Sequence, residues 1–175
     1  MLAAIKKNKM SKSITYYLTL FVIRIKGIKK KFSQDPIDYL ELRKEDVYVP
    51  KRKYFKSRQI TNFVISQTKI TEIKSSDQSK KLLIYIHGGA FISGPSQHHW
   101  DTIEKIAKTT NYTIWMCDYP KAPEHKILAI NNNVDVVYKT ASEKYNTENI
   151  VLIGDSAGGT LIISLVQRLY RIGQL

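Results

Sequence analysis

The chain has 175 residues, 43% of them hydrophobic and 25% charged, enough for one domain with a packed core and too apolar for a disordered chain. Eight Gly and five Pro exclude a collagen-like or linker-like composition, and a single cysteine excludes a disulfide scaffold and fits a reducing compartment. The net charge of +13 is lopsided: residues 1–85 hold 20 Lys/Arg against 7 Asp/Glu, whereas residues 86–175 hold 8 of each.

The first element in the chain is apolar. Residues 14–23 run ten residues before Arg24 interrupts them, whereas a membrane span needs about 20. A signal peptide would place small residues after such a core; Arg24, Ile25 and Lys26 stand there instead. A cytoplasmic location is therefore expected. Ile14, Leu18, Phe21, Ile25 and Ile28 fall at helical spacing, with Arg24, Lys26, Lys30 and Lys31 largely off that stripe. The pattern predicts an amphipathic helix over residues 14–31. It either packs on its own domain or makes peripheral contact with an anionic membrane. The basic half shows no helix-turn-helix, RNA-binding or zinc-finger pattern, so no nucleic-acid partner is expected.

Residues 35–48 are polar, with Pro36 and Pro50 as punctuation. Residues 59–74 are rich in β-branched side chains and partly alternate, which predicts two short antiparallel strands or a hairpin. Then the pattern changes. Leu82–Ile86, Tyr112–Cys117 and Ile150–Ile153 are continuous apolar runs of the kind that form strands buried on both faces. Each is followed by a helical pattern: around His98–Thr109, near Ile127–Lys144, and from Ala157 to about Arg171. This alternation predicts an α/β fold with a mostly parallel sheet. The domain division expected is a basic helical region over residues 1–45 and an α/β core over 46–175.

Chemistry concentrates at two strand ends, where open α/β sheets place their ligand sites. The third run leads into Gly154-Asp155-Ser156-Ala157-Gly158-Gly159, which contains Gly-x-Ser-x-Gly. This is the nucleophile elbow: a serine on a sharp strand-to-helix turn, with glycine two residues to either side because strand and helix approach closely there. The first run leads into His87-Gly88-Gly89-Ala90-Phe91. Two glycines after a strand leave backbone N–H groups bare and able to face an oxyanion. His87 reads as a hydrogen-bonding residue that shapes this loop, not as a general base. No Cys/His cluster has metal-ligand spacing; His98-His99 is only an adjacent pair. Neither a metal nor a cofactor is expected.

His87–Phe91, Asp118-Tyr119 followed by Ala122-Pro123-Glu124-His125, and Gly154–Gly159 occur in the order found in the hormone-sensitive-lipase branch of the α/β-hydrolases. Residues 82–170 resemble that family, and the N-terminal part is more loosely similar to its cap. The resemblance implies an α/β-hydrolase-type sheet with an N-terminal cap helix and a carboxylesterase or lipase acting on a small-molecule ester. Ser156 would be the nucleophile, and the amides of Gly88, Gly89 and Ala157 the oxyanion hole. Gly154, Asp155, Gly158 and Gly159 would shape the elbow. Ala90 stands where many members carry a third glycine, and Pro120-Lys121 where the family usually has Arg-Leu.

One expected element is missing. Hydrolase triads run Ser, then Asp/Glu, then His along the chain, and residues 157–175 contain none of these acids or histidine. His98, His99 and His125 lie upstream and are not expected to serve. The reading is a serine hydrolase whose C-terminal part of the fold, with the triad acid and base, is missing from this chain. The alternative is a non-catalytic hydrolase-like protein that binds an apolar ligand or a membrane. A peptidase or amidase on the same fold comes third, since fold and elbow do not fix the leaving group.

Overall fold

The structure, a computed structural model, describes residues 13–25, 27–51, 55, 58–75 and 79–174. The chain divides into two compact units, residues 1–38 and 39–175.

In the first unit, helix α1 (Ile14–Ile25) and helix α2 (Ile28–Phe32) replace the single helix predicted over 14–31. Gly27 sits between them with φ 59°, a left-handed conformation that ends a right-handed helix. The apolar stripe is therefore broken after Ile25. Lys26 and the side chain of Ile28, both part of that prediction, lie outside the described residues. No residue of α1 is buried, and among the described residues no helix is long and apolar enough to cross a membrane.

The second unit opens with a short helix, α3 (Tyr39–Arg43), in a stretch that reads only as polar in the sequence. The predicted hairpin follows: β1 (Ile60–Ile65) and β2 (Thr68–Ile73) pair antiparallel, with Ile65 opposite Thr68. Next come β3 (Leu82–Ile86), α4 (Gln97–Thr109), β4 (Thr113–Asp118), α5 (Ile127–Ser142), β5 (Ile150–Gly154) and α6 (Ala157–Arg171). The predicted ends of these six elements hold to within a few residues. The sheet order is β1-β2-β4-β3-β5. β2 meets β4 antiparallel, while β3 is parallel to both β4 and β5. The sheet is thus mixed, with its parallel part centred on β3.

Period-2 alternation sends the side chains of these strands to two cores. Leu82, Ile84 and Ile86 of β3 join Trp115 and Cys117 of β4 against Ile130, Val134 and Val137 of α5 and Leu161 and Leu165 of α6. On the opposite face Leu83, Tyr85, Ile114 and Met116 pack with Trp100, Ile103 and Ala107 of α4. Arg58 caps α4: its guanidinium donates to the carbonyls of Ala107 and Thr110, which have no partner within the helix, and to that of Tyr112.

All of β3 is buried, as predicted, but β5 is not. Ile150, Leu152 and Ile153 are half-buried, and Val151 is exposed. The cause is position: β5 pairs with β3 on one side and, among the described residues, with no strand on the other.

Candidate active site

Ser156 occupies the turn between β5 and α6 with φ 49° and ψ −115°, a conformation that L residues adopt only under constraint. The constraint is visible. A Cβ on Gly158 would lie 2.0 Å from the carbonyl oxygen of Ile86, and one on Gly154 would lie 2.5 Å from the Gly158 carbonyl. Strand β3, strand β5 and the start of α6 touch backbone to backbone here, which explains glycine at both positions. Asp155 N–H donates to Ile86 O at 3.2 Å and Gly158 N–H to Asp155 O at 2.8 Å, fixing the turn to the neighbouring strand. Ser156 itself is exposed.

The loop after β3 lies directly against this elbow. A Cβ on Gly88 would stand 3.1 Å from the Ser156 Cβ and 2.9 Å from the Asp155 carbonyl oxygen. Gly88 is buried and Gly89 half-buried. The loop then turns through left-handed conformations at Gly89 (φ 117°), Ala90 (φ 53°) and Phe91 (φ 65°). The Gly89 carbonyl accepts from the N–H groups of Ile92 and Ser93, both at 3.0 Å, which closes the turn on itself.

His87 is fully buried. Its Nδ1 lies 2.6 Å from Gly88 O and its ring stacks on Tyr119 at 4.5 Å. Its Nε2 is 3.7 Å from Asp118 Oδ1, beyond hydrogen-bond reach, and has no hydrogen-bond partner among the described residues.

The structure brings in two residues that the sequence reading sets aside. His99, on the first turn of α4, places Nε2 3.1 Å from Asp155 Oδ2, and His98 Nε2 lies 3.6 Å from the same oxygen. Ser96 N–H donates to His99 Nδ1 at 2.9 Å, so the neutral ring carries its proton on Nε2 and donates it to Asp155. Burial, then the neighbouring His98 and His87 rings, lower His99 to about 4 against the pull of Asp155, which keeps the ring neutral. The Gly88 nitrogen lies 3.3 Å from His99 Nε2, a packing contact because Nε2 carries the proton.

His98, His99 and Asp155 together bring three donor atoms within 4.8 Å of one another. A metal on His99 Nε2 would require Nδ1 to carry the proton, yet that nitrogen accepts the Ser96 amide. The cluster therefore fits a hydrogen-bonded strut, not a metal centre. Neither histidine is hydrogen-bonded to the Ser156 hydroxyl.

Residues 118–125 back the loop from behind. Tyr119 Oη donates to His87 O at 3.0 Å and Ala122 N–H to Phe91 O at 2.9 Å. Arg43 binds Glu124 through two parallel hydrogen bonds of 2.7 and 2.8 Å, and donates to the carbonyls of Ile92 and Ala122, both at 2.8 Å. The Arg43 guanidinium holds the exposed Glu124 carboxyl down at about 2. Lys121 pairs with Asp118. No motif marks Arg43 in the sequence.

A sheet in the order β1-β2-β4-β3-β5 with a strained serine at the end of β5, facing a glycine loop at the end of β3, is the arrangement of an α/β hydrolase. Residues 83–175 match the sequence profile of the alpha/beta hydrolase fold, and the chain belongs to that family. It is 34% identical over 100 residues to the esterase LipU of Mycobacterium tuberculosis, an alignment covering 57% of this chain and 34% of that one. It is likewise 34% identical over 99 residues to an esterase of Acinetobacter venetianus, covering 56% of this chain and 33% of the relative. A hormone-sensitive lipase from a metagenome library shares the fold with a TM-score of 0.65 at 22% identity, over 94% of this chain and 54% of that one. The chain spans about a third of the length of these curated relatives.

Proposed function

We propose that this chain carries the nucleophile half of a carboxylic-ester hydrolase, with Ser156 forming the acyl-enzyme. The observation that carries the reading is the backbone of Ser156. Its strained, positive-φ conformation sets an exposed serine at the carboxyl end of β5, at the start of a 15-residue helix. The positive end of α6 then stabilises negative charge that develops at the site. The names of the aligned relatives, esterases in both cases, support an ester as substrate.

The oxyanion donors in this reading are the amides of Gly88, Gly89 and Ala157. Ala157 N–H is among the first of α6, which have no intrahelical acceptor. Gly89 begins the left-handed turn beside the elbow. Gly88 lies against the nucleophile, where a Cβ would stand 3.1 Å from the Ser156 Cβ. His87 shapes the loop through the Gly88 carbonyl and its stack on Tyr119. The acid and base are assigned to sequence outside these 175 residues, because serine without a base is a weak nucleophile at neutral pH.

A fluorophosphonate probe tests the reading on this chain joined to the C-terminal segment of a complete relative. Labelling at Ser156, absent from Ser156→Ala and accompanied by hydrolysis of a short-chain nitrophenyl ester, supports it. Labelling that survives Ser156→Ala overturns it. The 175-residue chain alone is expected to label weakly or not at all.

A further inference from the structure

We propose that α1 and α2 form a docking surface for an anionic lipid membrane. Helix α1 contains no acidic residue and buries no side chain. Ile14, Tyr17, Leu18, Phe21 and Ile25 are 79%, 60%, 59%, 61% and 69% exposed, and Val22 is half exposed. Such a continuous apolar surface is not left in water by a stable protein. Twelve residues make a helix of about 18 Å, too short for the roughly 30 Å hydrocarbon core, so α1 would lie in the interface rather than span it.

Charge selects the occupant. Residues 1–34 contain nine Lys/Arg and no Asp or Glu. Three of the nine, Lys29–Lys31, fill α2, immediately after the apolar helix. A second copy of this surface would bring the same excess of positive charge against it, whereas an anionic bilayer offers both hydrocarbon for α1 and negative charge for α2. Each Lys or Arg near such a surface contributes about 1 kcal/mol of attraction. The Tyr16–Tyr17 edge-to-face pair adds the kind of amphipathic rings that settle at headgroup depth. This inference is independent of the hydrolase reading, since it uses no residue of the site.

The test is vesicle flotation of the full chain, which separates bound protein from aggregate. Vesicles of phosphatidylcholine alone are compared with vesicles containing about a third phosphatidylglycerol, at low and at high salt. The chain is expected to float with the anionic vesicles and to lose at least about tenfold in binding at high salt. The triple change Lys29→Gln, Lys30→Gln, Lys31→Gln should cost at least about tenfold at low salt. The pair Leu18→Asp, Phe21→Asp should abolish flotation. Equal flotation with neutral vesicles, or none with either, overturns the proposal. So does full binding by the Leu18→Asp, Phe21→Asp variant, which would leave only a polybasic tether. A dimer in solution that this variant dissolves would assign the face to a second copy instead.

Discussion

His99 and Asp155, 56 residues apart in sequence, are joined by a 3.1 Å hydrogen bond from the imidazole to the carboxylate immediately before the nucleophile. Through it the start of α4 holds the elbow. His99 Nε2 also lies 3.3 Å from the Gly88 nitrogen, so one buried ring packs against both the elbow and the glycine loop. The arrangement depends on a neutral ring, and the surroundings keep it neutral.

That neutrality gives stability a pH dependence with a defined sign. His99 sits near 4 in the folded chain, against the ordinary value of 6.5 in the unfolded chain. Between those values the unfolded chain binds a proton that the folded chain does not, so stability is full above pH 6.5 and falls as pH drops toward 4. The loss is on the order of 3 kcal/mol, at 1.36 kcal/mol per pKa unit. Thermal melts of the chain and of His99→Gln over this range should show a steep fall for the first and a shallower one for the second. Parallel curves would sink the assignment.

The elbow makes a sharper prediction about two adjacent glycines. Gly158→Ala drives a methyl to 2.0 Å from the Ile86 carbonyl oxygen, with backbone on both sides and nothing free to move. It should cost more than about 3 kcal/mol, at the top of the range for overpacking. Gly159→Ala meets only the Gly154 carbonyl oxygen at 3.3 Å, and alanine gains up to about 1 kcal/mol over glycine within a helix. It should be neutral to within about 1 kcal/mol. Urea denaturation of the two variants distinguishes them; equal effects would mean the strand and helix are not in contact as described.

The features that sequence made legible are those with a local cause. The continuous apolar runs gave β3 and β4, and the glycine spacing around Ser156 follows from backbone contact at 2.0–2.5 Å. Features that depend on distant partners were not legible. Arg43 lies in a polar stretch, and only the fold shows it clamping Glu124 and the Ile92 carbonyl, 81 and 49 residues away. His99 looked like half of an adjacent pair because its partner comes from another strand end. The break at Gly27 is hidden in the sequence because the hydrophobic period continues to Ile28, while the helical backbone does not. β5 read as fully buried because an apolar run does not reveal whether strands lie on both sides of it.

The open side of β5 yields the last prediction. A strand paired on one side only presents a row of free N–H and C=O groups, which templates pairing with another chain. Here the strand is apolar and short, Ile150–Gly154, and carries no charge to discourage such pairing. The 175-residue chain is therefore expected to self-associate as its concentration rises. Val151, 37% exposed, is the position where a charge can be added without entering either core. Val151→Lys should shift the population toward monomer, by the same device that natural edge strands use. Size-exclusion chromatography with light scattering, run beside Leu18→Asp, Phe21→Asp, separates this edge from the apolar helix as the source. If Val151→Lys leaves the oligomers unchanged while the helix variant dissolves them, self-association belongs to α1. If the parent chain is a monomer at every concentration reached, the open edge does not drive association and the prediction fails.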